Sequence, residues 1–129
     1  MNEKLRIVIV EDDCLIAMDL SELLAGEGHE VCAIAATEDA AVAAARQHVP
    51  DVMIVDAHLR EGSGIAAMQQ ILAAGFIPHV YVSGDRRGVS GLVPGAIVID
   101  KPFAMHALLA AIEQARAHGD AGLVRVGAA

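Results

Sequence analysis

Residues 50–59 read PDVMIVDAHL. Four apolar residues, Val52 to Val55, run straight into Asp56. A short unbroken apolar run between turn signals has the pattern of a strand covered on both faces, as in a parallel sheet. A carboxylate at the edge of a core is costly unless something neutralises it. The end of this strand is therefore the first place to look for chemistry.

Similar runs recur along the chain. Leu5–Val10, Val31–Ala35, Pro78–Val82 and Ala96–Ile99 complete a set of five expected strands. Helical periodicity fills the gaps between them. Ile16, Leu20, Leu23 and Leu24 recur at helical spacing before Gly26 and Gly28, which end that helix. Thr37 can cap a second, alanine-rich helix over about 38–48, with Glu38 and Asp39 in its first turn. Ser63 and Gly64 open a third helix that carries Ile65, Met68, Ile71 and Leu72 on one side. Met105, Leu108, Leu109 and Ile112 mark a last one. Strand and helix alternating five times imply an α/β protein, a parallel sheet with helices on both faces. The exception is DRRGVSGLVPG, residues 85–95, where three glycines and a proline predict a fourth helix that is short, frayed or absent. The expected domain spans residues 1–118, followed by a loosely ordered tail over 119–129.

Composition narrows the function. The 129 residues are 55% hydrophobic and 20% charged, enough for one domain with a real core. The net charge of −8, without clustered basic residues, disfavours nucleic acid and anionic membranes as partners. Aromatics at 2% leave little to stack on single strands. Cys14 and Cys32 form no CxxC pair and read as reduced thiols of a cytoplasmic protein. No apolar run approaches the ~20 residues a membrane-spanning helix needs.

Ligands of open parallel sheets bind at the carboxyl ends of the strands. Glu11 and Asp12 follow the first strand, Asp56 the third, Ser83 the fourth and Lys101 the fifth. Three crowded carboxylates repel one another, and a hard divalent cation relieves this. The set reads as a Mg²⁺ site. Lys101 adds a point charge and Ser83 a hydroxyl, which together suit a phosphoryl group. Asp56 is the nucleophile candidate, since an aspartate can form an acyl phosphate. Taken singly, each residue has a plainer reading: loop acids or a cap for Glu11–Asp13, a turn for Ser83-Gly84, a surface lysine for Lys101. Their joint placement carries the argument.

IVIVEDD (7–13), DVMIVDAHL (51–59), Gly64, VSG (82–84) and DKPF (100–103) resemble the receiver domains of two-component response regulators. The likeness covers about residues 4–118. It implies a flavodoxin-like (βα)5 three-layer sandwich with strand order 2-1-3-4-5. It also implies phosphoryl transfer from a histidine kinase or phosphotransfer protein to Asp56, with Mg²⁺ held by Asp12, Asp56 and the backbone carbonyl of His58, and by Glu11 through water. Ser83 and Lys101 would contact the phosphoryl group, and the Lys101–Pro102 bond would be cis. Asp13 is left a capping or supporting role. The resemblance makes the chain a signalling domain rather than an enzyme acting on other substrates. Output would be protein–protein contact or phosphorelay, by a monomer or weak homodimer.

The chain departs from the usual pattern on the fifth strand. Val98 stands where many receivers carry an aromatic switch residue. Tyr81, two residues before Ser83, is the alternative switch. PHVYVSGD (78–85) is similar to a subgroup whose fourth strand reads P-F-x-F-A-T-G, typical of alphaproteobacterial stress and light signalling. A phosphoryl group pulling on Ser83 could order residues 85–95. His58 sits near the mouth of the expected pocket, where it could affect phosphate lifetime or be a plain rim residue. His29, His48, His79, His106 and His118 lack metal-ligand spacing and read as structural or surface groups. Competing functions are a Mg²⁺-dependent aspartyl-phosphate phosphatase, a pseudo-receiver that binds partners without phosphorylation, and a flavin-binding protein. The first lacks the second aspartate of DxD, since His58 stands there. The second would be expected to have lost an acid, the aspartate or the lysine. The third would want backbone donors where the first turn is acidic.

Overall fold

A computed structural model describes the backbone of residues 3–128 and the side chains of residues 3–117. Five strands, β1 (Arg6–Val10), β2 (Glu30–Ala35), β3 (Val52–Asp56), β4 (His79–Ser83) and β5 (Val98–Asp100), form one parallel sheet in the order β2-β1-β3-β4-β5. Five helices connect and cover them: α1 (Cys14–Gly26), α2 (Glu38–His48), α3 (Gly64–Ala74), α4 (Arg86–Leu92) and α5 (Met105–Ala128). The expected loosely ordered tail over 119–129 lies outside the residues whose side chains are described. Among the described residues, no helix is long and apolar enough to cross a membrane.

The sheet divides the core in two. Val8, Val10, Met53, Val55 and Tyr81 face α2, α3 and α4, where they meet Val42, Met68, Ile71 and Val89. Ile7, Ile9, Val52, Ile54, Val80 and Val82 face α1 and α5, meeting Leu20, Leu24, Leu108 and Ile112. Alternate residues of each strand thus serve opposite faces, so unbroken apolar runs are required. On α1 the buried stripe is Ala17, Leu20 and Leu24, whereas Ile16 and Leu23 stay about half exposed. The small Ala17 side chain lies on that buried stripe, and the bulkier neighbours fall to its sides.

The turn chemistry follows the sequence. The Asp13 carboxylate caps α1, accepting from the N–H groups of Leu15 and Ile16 at 3.0 and 3.2 Å. The Thr37 hydroxyl accepts from Ala40 N–H at 3.1 Å, and the Ser63 hydroxyl from Ile65 and Ala66. α4 is formed but has only seven residues, with Val89 its one buried side chain. β5 starts later than the apolar run predicts. Ala96 and Ile97 belong to the approach from α4, with Ala96 N–H bonded to the Val93 carbonyl, and pairing begins at Val98 opposite Tyr81. Gly64 sits where a methyl group would fall against the Asp56 carbonyl and lie 2.7 Å from Val55 Cγ1, so α3 starts in direct contact with the end of β3.

Candidate functional site

The topology brings the carboxyl ends of β1, β3, β4 and β5 side by side. Asp56 and Ser83 are the last residues of their strands rather than the first beyond them. Glu11, Asp56 and Ser83 are the buried polar or charged side chains of the described residues, at 6%, 7% and 1% exposure. Three buried polar groups at one end of one sheet need a common reason.

Carboxylate oxygens of Glu11, Asp12 and Asp56 lie within 4.8 Å of one another. Lys101 reaches in beside them, its Nζ 2.8 Å from Asp56 Oδ2 and 3.4 Å from Glu11 Oε1. Burial alone would lower the pKa of this lysine, but the hydrogen bond and charge of Asp56, with help from Glu11, more than offset that and raise it. The ammonium is therefore held charged. Burial pushes the Glu11 carboxyl up, opposed by the Asp13 N–H that it accepts and reinforced by the Asp56 charge. Asp12 is held down chiefly by the Arg60 N–H, which donates to its Oδ2 at 2.7 Å. The other Asp56 oxygen, Oδ1, accepts from His58 N–H at 3.1 Å. Three carboxylates against one ammonium leave a local excess of negative charge. This all-oxygen donor set fits a hard divalent cation such as Mg²⁺.

Ser83 Oγ accepts from Asp85 N–H at 2.8 Å, which leaves its hydroxyl proton able to donate elsewhere. Asp85 in turn caps α4 through Gly88 N–H. The Lys101–Pro102 peptide bond is cis. The His58 side chain is exposed on the rim. Tyr81 is buried at 2% exposure, already inward, with its ring edge-on to His79 at 5.4 Å between centroids. Of the remaining histidines, His29 Nδ1 accepts from Leu5 N–H at 3.1 Å, a structural use. His118 lies outside the residues with described side chains.

The comparisons with known proteins agree with this geometry. A model of the response regulator receiver domain family matches residues 7–113. The chain belongs to the response regulator receiver family. The phyllosphere-induced regulator PhyR of Methylorubrum extorquens is 36% identical over 113 residues, 84% of this chain and 42% of that protein. The transcriptional regulatory protein PdtaR of Mycobacterium tuberculosis is 33% identical over 117 residues, 85% of this chain and 56% of that protein. Among solved structures, the response regulator PhyR from Brucella abortus superimposes with a TM-score of 0.82 at 34% identity, covering 96% of this chain and 52% of that one. This receiver thus spans about half the length of the relatives it matches.

Residues that sequence reasoning missed lie in the connections. Arg60 holds Asp12 across 48 residues, and Glu38 holds Ser63 across 25. Neither pair shares a motif or a periodicity. The one visible hint was Gly62, whose φ of +87° marks a turn that glycine favours.

Tyr81 offers a direct check on the packing of this end of the sheet. Burial pushes its phenol up to about 12 from an ordinary 10.0. An acid whose folded pKa is raised stabilises the fold fully below its unfolded pKa, and that contribution fades as pH rises through the folded value. The chain has one tyrosine and no tryptophan, so tyrosinate absorbance reports Tyr81 alone. Alkaline titration of the native protein is expected to give a midpoint near 12, against about 10 after denaturation. A native midpoint near the denatured one would show an exposed ring.

Proposed function

We propose that this receiver accepts a phosphoryl group on Asp56 from the phosphohistidine of a histidine kinase or phosphotransfer protein, in a Mg²⁺-dependent reaction. The observation that carries the reading is the pairing of Asp56 with Lys101 inside a ring of acids. An Asp56 carboxylate oxygen attacks phosphorus, the phosphorus–nitrogen bond of the donor breaks, and the imidazole keeps that electron pair. Glu11, Asp12 and Asp56, with the His58 carbonyl, would hold Mg²⁺, which supplies positive charge against the carboxylates and the entering phosphoryl oxygens.

The chain's own groups do the rest. Lys101, resting on Asp56 Oδ2, transfers its contact to a phosphoryl oxygen once that carboxylate has become an acyl phosphate. Ser83 turns its hydroxyl proton to another oxygen, and its bond from Asp85 N–H passes that movement to the start of α4. Tyr81 and Val98 face each other beneath it, so displacement of Ser83 presses on a packed pair. Such a signal reaches a downstream protein by contact or by phosphorelay in the cytoplasm. The whole-protein activities of PhyR and PdtaR do not carry over, because this chain matches only about half of each.

The test is intact mass after incubation with acetyl phosphate, with Mg²⁺ and with a chelator. One added phosphoryl group with Mg²⁺ and none with chelator is expected. No addition, together with no Mg²⁺-dependent binding of beryllium fluoride, would replace this reading with that of a non-phosphorylated binding module.

A further inference from the structure

The loop joining β3 to α3, residues 57–63, is tied to the acids at its near end. Arg60 N–H donates to Asp12 Oδ2 at 2.7 Å and His58 N–H to Asp56 Oδ1 at 3.1 Å. Its far end is tied to Glu38, in the first turn of α2. Ser63 N–H donates to Glu38 Oε1 at 3.0 Å, and Glu38 N–H donates to the Glu61 carbonyl at 3.2 Å. Gln70, one α3 turn or two further on, donates from Nε2 to Glu38 Oε2 at 2.9 Å. Both carboxylate oxygens and the backbone N–H of Glu38 are thus engaged by this loop and the helix behind it. Gly62 is fitted against the same side chain: a Cβ there would lie 2.5 Å from both Glu38 Cβ and Oε1.

A glutamate in a first helical turn has an ordinary explanation, since it complements the helix dipole. The neighbouring Asp39, which is exposed, serves that purpose as well. The dipole does not account for two carboxylate oxygens each aimed at a donor from another element, nor for a glycine that leaves room for them.

We propose that Glu38 is a positioning residue for the acidic site. By clamping residues 61–63 it fixes the loop whose N–H groups orient Asp12 and Asp56, and it thereby sets the affinity for a divalent cation. The inference rests on the reading of those acids as a Mg²⁺ site. Mg²⁺ demands near-ideal geometry from its ligands. Groups that orient metal ligands from behind are typically worth about 10–100-fold in affinity. The loop is also pinned at its base by the His58–Ser63 bridge, by Gly64 N–H on the Ala57 carbonyl and by Leu59 against the core, which leaves the exposed stretch Arg60, Glu61 and Gly62 as the part that Glu38 steadies.

The experiment compares wild type, Glu38→Ala and Glu38→Gln by amide hydrogen exchange without metal and by calorimetric titration with Mg²⁺. Glu38→Ala is expected to speed exchange over residues 58–63, leave the strands unchanged, and weaken Mg²⁺ binding about tenfold. Glu38→Gln removes the charge but keeps an acceptor for Ser63 N–H, and is expected to restore both. Unchanged loop exchange and Mg²⁺ affinity in Glu38→Ala would overturn the proposal. A Glu38→Gln protein as impaired as Glu38→Ala would also do so, by assigning the effect to charge on the helix. Should Glu38→Ala not fold, Gln70→Ala removes the outer support alone, and unchanged loop exchange in it would count against the clamp. A wild type that binds no Mg²⁺ would sink the proposed function and the affinity claim, whereas the metal-free exchange comparison still decides whether Glu38 holds the loop.

Discussion

Asp56→Ala is expected to take up no phosphoryl group from acetyl phosphate under conditions where wild type takes up one. The effect is all or none because the neighbouring acids cannot substitute. Glu11 Oε2 is engaged by Asp13 N–H and Asp12 Oδ2 by Arg60 N–H, and neither sits under Lys101 as closely as Asp56 does. The variant should still fold. Removing one carboxylate from a group of three relieves repulsion, and Lys101 keeps Glu11 as a partner at 3.4 Å. Intact mass gives the uptake, and a thermal melt run beside it separates loss of chemistry from loss of structure. Persisting uptake in a folded Asp56→Ala protein would move the acceptor to Glu11 or Asp12.

Gly64→Ala is expected to destabilise the fold by about 1–3 kcal/mol or more, the usual cost of forcing a methyl group into a packed site. The obstruction here is the Asp56 backbone carbonyl as well as Val55 Cγ1, and backbone yields less readily than a side chain. Gly64 N–H also donates to the Ala57 carbonyl at 3.1 Å, so α3 cannot back away without losing that bond. Each kilocalorie should lower the melting temperature by a few degrees, roughly 2–8 °C for domains of this size range. Gly26→Ala is the control, since a Cβ there meets nothing within 4 Å and should change stability little. Equal melting temperatures for the two variants would show that α3 does not bear on β3 as described. Because the obstructing atom belongs to Asp56, phosphoryl uptake should fall in Gly64→Ala as well.

Much of this molecule is legible in its sequence, for identifiable reasons. Strands buried on both faces must be apolar throughout, so VMIV (52–55) and IVIV (7–10) announce themselves. Caps act over two or three residues, so Asp13, Thr37 and Ser63 can be read locally. The acids and the lysine were findable because strand ends in a parallel sheet converge, which turns five distant positions into one neighbourhood. What stayed hidden depends on the paths of loops. Nothing in the letters of Glu38 or Arg60 tells which distant N–H each will meet. The exposed Ile16 and Leu23 were hidden for another reason: periodicity gives the spacing of a helix face, and packing decides which residues of that face stay covered.

The hold on α4 has a consequence for signalling fidelity. Seven residues, two of them glycine, are anchored by one buried valine. Full burial of a valine is worth about 1.5–3 kcal/mol. At ~1.4 kcal/mol per factor of ten, that side chain contributes a factor of roughly ten to a hundred to holding the segment down, beside the Asp85 cap and the Arg86–Asp100 pair. Under the proposed phosphorylation, an output read from this helix would start from a weakly held element, and the phosphoryl group would act as a gain control over that background.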